Sequence, residues 1–202
     1  MTKDEQKRTE IFNAESSKLI SEGYVSRDLL ISGAKANTVG MLFGLVPVIP
    51  FAIWYLIAYG AFDPFEQVYD SVAVCVALLI SIPVHELIHG ITWSLFAGKR
   101  FKSIAFGVAW KSVTPYCSCK EALKRGHYPI GVIMPGIVLG IIPLIISCII
   151  GSASLFVYGM FMTITAGGDL LIFSMILREK KSKQECFLDH PTKIGLVKFE
   201  KE

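Results

Sequence analysis

The 202-residue chain has few charged residues, and several long stretches have almost none. Only 18% of its residues are Asp, Glu, Lys or Arg, whereas 52% are hydrophobic and the mean hydropathy is +0.53. Four of the apolar stretches reach the roughly 20 residues that a helix needs to cross a bilayer. This composition excludes an ordinary soluble domain. It predicts an all-α membrane protein with about four transmembrane helices.

The predicted spans divide the chain into three parts. A helical segment at 1–37 comes first, the membrane part covers 38–177, and a tail follows at 178–202. The spans are expected at about 38–60, 71–97, 130–151 and 153–177, where Asp, Glu, Lys and Arg are absent or single.

Basic residues are missing from two of the links between these spans. All 20 Lys and Arg fall within residues 1–37, 98–127 and 178–202. Positive charge marks the cytosolic side of a membrane protein, so both termini and the long middle loop are expected in the cytosol. The net charge of +3 then reflects topology, and no nucleic-acid partner is expected. The expected partner is the lipid bilayer.

The termini and cysteines show no sign of secretion. The first 37 residues mix both charges and begin no early apolar run, which predicts a cytosolic helix rather than a signal peptide. Five cysteines form no disulfide framework. Cys117 and Cys119 remain open to two interpretations, a second metal site or redox switch on one side and ordinary reduced thiols on the other.

Histidine is also scarce, and two of the four histidines lie in one motif inside the second span. His85-Glu86-Leu87-Ile88-His89 is an H-E-x-x-H sequence. On a helix its histidines lie one turn apart on the same face, where both can bind one Zn²⁺ ion. Glu86 lies beside them as a candidate catalytic base for a water molecule. Ionisable groups in a span are costly, which favours a functional site.

A catalytic zinc site normally has three protein ligands, and Asp169 is the candidate for the third. It is the other carboxylate within a predicted span. At about 1.5 Å per residue along each helix, His85 and Asp169 reach a similar depth in the cytosolic half of the bilayer. The alternative is a structural Asp169 that bonds or pairs with a neighbour: Thr163, Thr165, Ser174 or Arg178.

Two features near the membrane edge could contact a substrate. His127 precedes the third span and could line a substrate path, or could simply be a surface histidine. The loop from Phe101 to Cys119 alternates in character and predicts a short β-hairpin, whose edge could hold an extended peptide.

Two resemblances follow from these motifs. His85 to Gly90, Gly98 and Phe106-Gly107 resemble the site-2 protease class of intramembrane zinc metalloproteases, although Thr165 to Leu170 departs from the usual pattern around the third ligand. The chain is more similar to small bacterial membrane proteins described as putative zincin peptidases. That likeness includes His85 to Gly90, Pro115-Tyr116, Cys119-Lys120-Glu121, Gly168-Asp169, Asp189-His190-Pro191 and Gly195.

The resemblance implies a zinc metallopeptidase in a bacterial cell membrane, with a membrane protein or peptide as its substrate. His85, His89 and Asp169 would hold the zinc, and Tyr116, Asp189 and His190 are lesser candidates for contacting substrate or gating the site. Two alternatives stay open: a zinc sensor or transporter that hydrolyses nothing, and an inactive scaffold for transmembrane partners.

Overall fold

The computed structural model of the chain describes residues 3–60, 68–110 and 114–201. The helices in these ranges are α1 (Lys3–Ser21), α2 (Gly33–Tyr59), α3 (Val68–Ser94), α4 (Tyr128–Pro135), α5 (Ile142–Ile150), α6 (Ala153–Thr165) and α7 (Gly167–Arg178). The strands are β1 (Val25–Leu30), β2 (Ile104–Ala109), β3 (Thr114–Cys119), β4 (Leu123–Lys124), β5 (Gln184–Asp189) and β6 (Gly195–Lys201).

The prediction of about four spans is confirmed as three or four apolar stretches. Three described stretches are long and apolar enough to cross a membrane: Gly33–Tyr59, Val72–Ser94 and Tyr128–Ile150. The pair α6 and α7, bent by 48° where one helix gives way to the next, makes a fourth if it is counted as one span. Most of the link between the first two predicted spans, residues 61–67, lies outside the described residues.

The third span is irregular in the middle. A π-helical segment at Gly136–Ile141 joins α4 to α5, and its end is closed by a hydrogen bond from the Ile142 N–H to the Ile137 carbonyl. Pro143 has no backbone N–H, so a regular α-helical hydrogen-bond pattern cannot continue through it. In the π-helical turn an N–H bonds to the carbonyl five residues back instead of four, which lets the apolar span continue as a helix into Pro143.

The expectation of an all-α fold is wrong at one end of the molecule. A four-stranded antiparallel sheet in the order β1-β6-β5-β4 combines the N-terminal segment, the middle loop and the tail. Val25 pairs with Glu200, and Leu123 pairs with Phe187. These strands pair residues that are far apart in the sequence, which local hydrophobic periodicity does not reveal.

The sheet is buried on both faces. One face packs against α1, with Leu19 from the helix meeting Leu188, Val197 and Phe199. The opposite face packs against the helix ends, where fully buried Phe187 and Leu196 belong to the same core as Trp93 and Tyr128. Within the segment 1–37, α1 covers the sheet, whereas Val25–Leu30 forms one of its strands instead of a helix.

The predicted hairpin is confirmed as β2 and β3, which pair from Ile104 with Cys119 to Ala109 with Thr114. One face lies on α3, where the Phe106 ring contacts Gly90 so closely that a Cβ there would lie 2.5 Å from it. On the other face Tyr116 donates a 2.5 Å hydrogen bond to Asp4 of α1. The hairpin is therefore held between α1 and the helix that carries the H-E-x-x-H motif.

Candidate metal centre

The two histidines of the motif converge as their spacing predicts. His85 and His89 project from one face of α3, and their Nε2 atoms are 3.2 Å apart. Their rings meet edge to face, with centroids 4.9 Å apart. The side chains are largely shielded, with 14% of His85 and 8% of His89 exposed. Helix geometry alone brings these two nitrogens together.

Asp169 completes the cluster from the opposite side. Its Oδ2 atom is 3.0 Å from His85 Nε2 and 3.5 Å from His89 Nε2. The fourth span was expected to be one continuous helix, whereas it breaks at Ala166 and Asp169 lies in the first turn of α7. The predicted approach to the histidines is nevertheless observed.

Close glycine packing places α7 at this position. A Cβ on Gly167 would lie 2.0 Å from the Gly40 carbonyl oxygen, and a Cβ on Gly44 would lie 2.5 Å from the Ile164 carbonyl oxygen. Small residues allow backbones to approach to this degree. The Gly40-x-x-x-Gly44 pair therefore packs α2 against α6 and α7 within the molecule, next to the break that precedes Asp169.

The alternative role of Asp169, as a structural hydrogen-bond partner of a neighbouring hydroxyl, is not seen in the described contacts. The hydroxyls of Thr163, Thr165 and Ser174 each donate to a carbonyl of their own helix. None of them bonds to the Asp169 carboxylate, which is turned toward the two imidazoles. The cluster geometry is thus the one expected of a metal ligand.

The spacing of the three atoms fits zinc. Bonds of about 2.0–2.1 Å in a tetrahedral arrangement require ligand atoms about 3.3 Å from one another. The two Nε2 atoms and Oδ2 form a triangle with sides of 3.0, 3.2 and 3.5 Å. Such a triangle matches one face of the tetrahedron and leaves the fourth position for water or substrate.

The hydrogen bonding of His89 also suits a metal ligand. Its Nδ1–H donates a 2.7 Å hydrogen bond to the Gly131 carbonyl of α4. In a neutral imidazole, this bond leaves the lone pair on Nε2, which faces the cluster, a common arrangement behind metal-binding histidines. A Cβ on Gly131 would collide with Trp93, at 2.1 Å from its Nε1 atom. Glycine thus lets α4 come close enough to accept this bond.

Trp93 continues the support of His89. It lies one turn further along α3 and stacks on the His89 ring, with centroids 5.1 Å apart and planes 15° apart. Its other neighbour is the Tyr128 ring, at 5.4 Å and 26°. The Trp93 Nε1–H donates to the Tyr128 carbonyl at 3.0 Å. His89 is therefore held both through its nitrogen and through its ring.

Glu86 is half-buried beside the cluster, next to the hairpin. Its carboxylate lies close enough to the backbone N–H of Cys117 in β3 for that dipole to act on it. The carboxylate also lies close enough to His85, His89 and Asp169 for their charges to act on it. A carboxylate fixed next to the open side of a metal triangle is placed for proton transfer.

The lesser candidates lie outside the cluster. His127 stacks on Phe96, with centroids 4.4 Å apart. Tyr116 bonds to Asp4 beneath the Arg8 guanidinium. His190 accepts two backbone N–H bonds of its own turn through Nδ1. A substrate contact by any of these side chains stays a prediction.

A second metal site at Cys117 and Cys119 is not supported. Within residues 3–60, 68–110 and 114–201, the single group of three or more His, Cys, Asp or Glu side chains close enough to share an ion is His85, His89 and Asp169. Burial raises the pKa of both thiols, to about 12 for Cys119. They fit the interpretation as ordinary reduced cysteines.

Sequence reasoning missed the groups that support the ligands. The Gly131 carbonyl and the Cys117 N–H are backbone atoms, which no motif marks. Trp93 did leave a signal, since it continues the His85 and His89 face at the same four-residue interval.

Two imidazoles and a carboxylate, with a glutamate beside them, are the groups of a candidate metallopeptidase centre of the H-E-x-x-H type. The comparison with known families agrees. The chain belongs to the family described as "Putative zincin peptidase", whose model matches residues 78–183 and so includes both the motif and Asp169. Comparison with curated proteins and with solved structures gives no significant match.

Proposed function

We propose that the chain is a zinc-dependent metallopeptidase embedded in a membrane, which hydrolyses peptide bonds near the cytosolic face. The observation that carries this proposal is the triangle of His85 Nε2, His89 Nε2 and Asp169 Oδ2, with sides of 3.0, 3.2 and 3.5 Å. The membership of the chain in its family supports the same chemistry. A relation to the site-2 protease class belongs to this proposal as well.

The membrane location rests on the long apolar helices. Their outward residues include large hydrophobic side chains such as Trp54, Ile57 and Leu79, which are 62%, 81% and 68% exposed. So many exposed apolar side chains would be unfavourable in water and suit contact with lipid. The multi-pass arrangement is therefore proposed for a cell membrane.

The sheet supports the proposed topology. It pairs β1 from the N-terminal segment, β4 from the middle loop, and β5 and β6 from the tail. Strands that pair must lie on the same side of a membrane, so these three segments would share one compartment. They also contain all the described Lys and Arg, which makes that compartment the cytosol under the positive-inside rule.

The residues have distinct roles in the proposed reaction. A bound zinc ion supplies positive charge that polarises the scissile carbonyl and lowers the pKa of water toward neutrality. Glu86 takes a proton from the attacking water and passes it to the leaving amine as the C–N bond breaks. The nearby Cys117 N–H favours the charged Glu86 carboxylate, and the Gly131 carbonyl keeps His89 Nε2 turned toward the cluster.

The test uses the purified full-length chain in lipid nanodiscs, loaded with zinc, and the variant Glu86→Gln. A matched control is Glu10→Gln, an exposed carboxylate on α1. The substrate assay compares cleavage of a membrane-peptide library by mass spectrometry. Because general-base catalysis contributes about 10²–10⁴ to a rate, Glu86→Gln should lose at least about 100-fold in cleavage while binding stoichiometric zinc. Cleavage at the wild-type rate in Glu86→Gln would refute the proposed mechanism.

A further inference from the structure

Asp189 lies on the tail strand β5, in an Asp-His-Pro sequence that the proposed reaction does not use. Its carboxylate is enclosed where the sheet meets the helix ends. One oxygen, Oδ1, accepts a hydrogen bond from the Tyr128 hydroxyl at the start of α4. The other, Oδ2, accepts a 2.9 Å bond from the Cys119 backbone N–H at the end of β3. A single side chain thus joins the hairpin to α4.

Each of these two elements lies against a different part of the metal centre. Strand β3 places the Cys117 N–H near the Glu86 carboxylate, two residues before the amide that Asp189 binds. Helix α4 provides the Gly131 carbonyl that bonds to His89, one turn after Tyr128. The hairpin and α4 are separated by β4, so their relative position is not set by direct continuity of the chain.

A second path runs through stacked rings. Tyr128 stacks on Trp93, and Trp93 stacks on His89, with centroid distances of 5.4 Å and 5.1 Å. The Tyr128 hydroxyl at one end of this stack is the group bound by Asp189. That bond adds one restraint to the buried Tyr128 ring, so its loss would change how the ring packs on Trp93 and, through Trp93, on His89.

We propose that Asp189 is a positioning residue of the metal centre, which couples the hairpin that lies beside Glu86 to the helix that holds His89. The carboxylate accepts from both donors at once, which a neutral amide cannot reproduce, since one of its two ends is itself a donor. Its role in catalysis rests on the proposed function. Its role in fixing the position of Trp93 and His89 does not.

The experiment compares four forms of the full-length chain in nanodiscs: wild type, Asp189→Asn, Tyr128→Phe and the control Glu200→Gln. Glu200 is matched to Asp189 because it lies on the same face of the same sheet. Its carboxylate accepts a 2.5 Å hydrogen bond from the buried Lys198, and it makes no described contact with the hairpin or α4. A variant that only loosens the sheet should therefore behave like Glu200→Gln.

Two properties are measured without reference to peptidase activity. The first is zinc affinity by chelator competition, which should fall about 10-fold in Asp189→Asn and Tyr128→Phe, the usual size of an effect from groups behind a metal ligand. The second is Trp93 emission in the metal-free protein, in a background with the exposed Trp54 and Trp110 replaced by Phe. Both variants should shift that emission, and Glu200→Gln should change neither property.

The outcomes separate this proposal from the proposed function. If the wild type binds no zinc, the proposed metal centre fails, and the emission alone decides whether Asp189 positions Trp93. An emission shift in Asp189→Asn or Tyr128→Phe that is absent from Glu200→Gln supports the coupling. Emission and zinc affinity equal to the wild type in both variants would overturn it. So would an equal change in Glu200→Gln. Should Asp189→Asn fail to fold, Tyr128→Phe gives the same decision.

Discussion

The two halves of the metal centre are built in different ways. His85, Glu86 and His89 lie on α3, a single continuous helix, and the periodicity of that helix aligns them. Asp169 lies just after a 48° bend between α6 and α7, and its position depends on glycine contacts with α2. One half is fixed by local sequence, and the other by packing between helices that are distant in the chain.

The difference between the halves predicts different costs for losing a ligand, and this is the largest expected effect. His89→Ala and Asp169→Ala should each weaken zinc binding by more than about 100-fold. Loss of a residue that only hydrogen-bonds to a metal ligand usually costs less than this. The two variants should differ in the stability of the metal-free protein. His89→Ala leaves the buried Gly131 carbonyl without its donor, which costs about 1–3 kcal/mol of metal-free stability. Asp169→Ala removes a carboxylate whose described partners are the two histidines, so it should cost less.

The measurements are isothermal titration with zinc and chemical unfolding of the metal-free protein in micelles. Equal stability loss in the two variants would contradict the contrast drawn between the halves.

The next effect in size concerns the glycine contact that seats Asp169. Gly167→Ala would place a Cβ 2.0 Å from the Gly40 carbonyl oxygen. Relief of that overlap requires backbone movement, with an expected cost of about 1–3 kcal/mol and weaker zinc binding as Asp169 shifts. The neighbouring Gly168→Ala is the control, because a Cβ there meets no described atom within 4 Å. If thermal unfolding and zinc titration cannot tell the two variants apart, the glycine contact does not position the ligand.

On the α3 half of the centre, the effect of the hairpin on Glu86 can be tested with substitutions of Cys117. Cys117→Pro removes the backbone N–H that acts on the Glu86 carboxylate, whereas Cys117→Ala keeps it. A full hydrogen bond to a charged group is worth about 1.5–3 kcal/mol, so kcat should fall by up to about 10-fold in the proline variant. Zinc content should stay stoichiometric in both. A proline variant as active as the alanine variant would show that the hairpin does not act on Glu86 in catalysis.

The smallest expected effect is a pH dependence at the end of α3. Glu121 accepts bonds from Ser103 Oγ and from the N–H groups of Gly98 and Lys99. Burial alone would raise the pKa of Glu121, but these hydrogen bonds outweigh it and lower the pKa. Its stabilising contribution is therefore present above the ordinary pKa of about 4.3 and lost as the pH falls through the lowered value.

Thermal unfolding of the metal-free protein, followed from about pH 6 down to about pH 3, measures this contribution. Glu121→Gln should reduce the loss of stability in the acid range compared with the wild type. Identical pH profiles for the two proteins would exclude a contribution from Glu121.

The sequence predicted the part of the fold that depends on local pattern. Uncharged runs located the spans, and the spacing of His85 and His89 located half of the metal centre. The alternation from Phe101 to Cys119 predicted the hairpin. Each of these features is encoded within one short segment, where a period of 3.6 or 2 residues is visible.

The features that were missed depend on contacts between distant segments. The sheet pairs Val25 with Glu200, and neither strand can bury its apolar face without the other. Asp169 was found by a depth argument, but the bend at Ala166 that brings it to the histidines is set by the contact of Gly167 with Gly40. The Gly131 and Cys117 backbone groups could not be recognised, because every residue has them.

The most direct test of the metal centre is X-ray absorption at the zinc edge on the zinc-loaded full-length chain. The structure predicts a first shell of nitrogen and oxygen at about 2.0–2.1 Å with two imidazoles, and the signal of one imidazole should disappear in His85→Ala. A sulfur ligand at about 2.3 Å, as Cys117 or Cys119 would give, or a wild-type chain that retains no stoichiometric zinc, would contradict the assignment of His85, His89 and Asp169 as the zinc ligands.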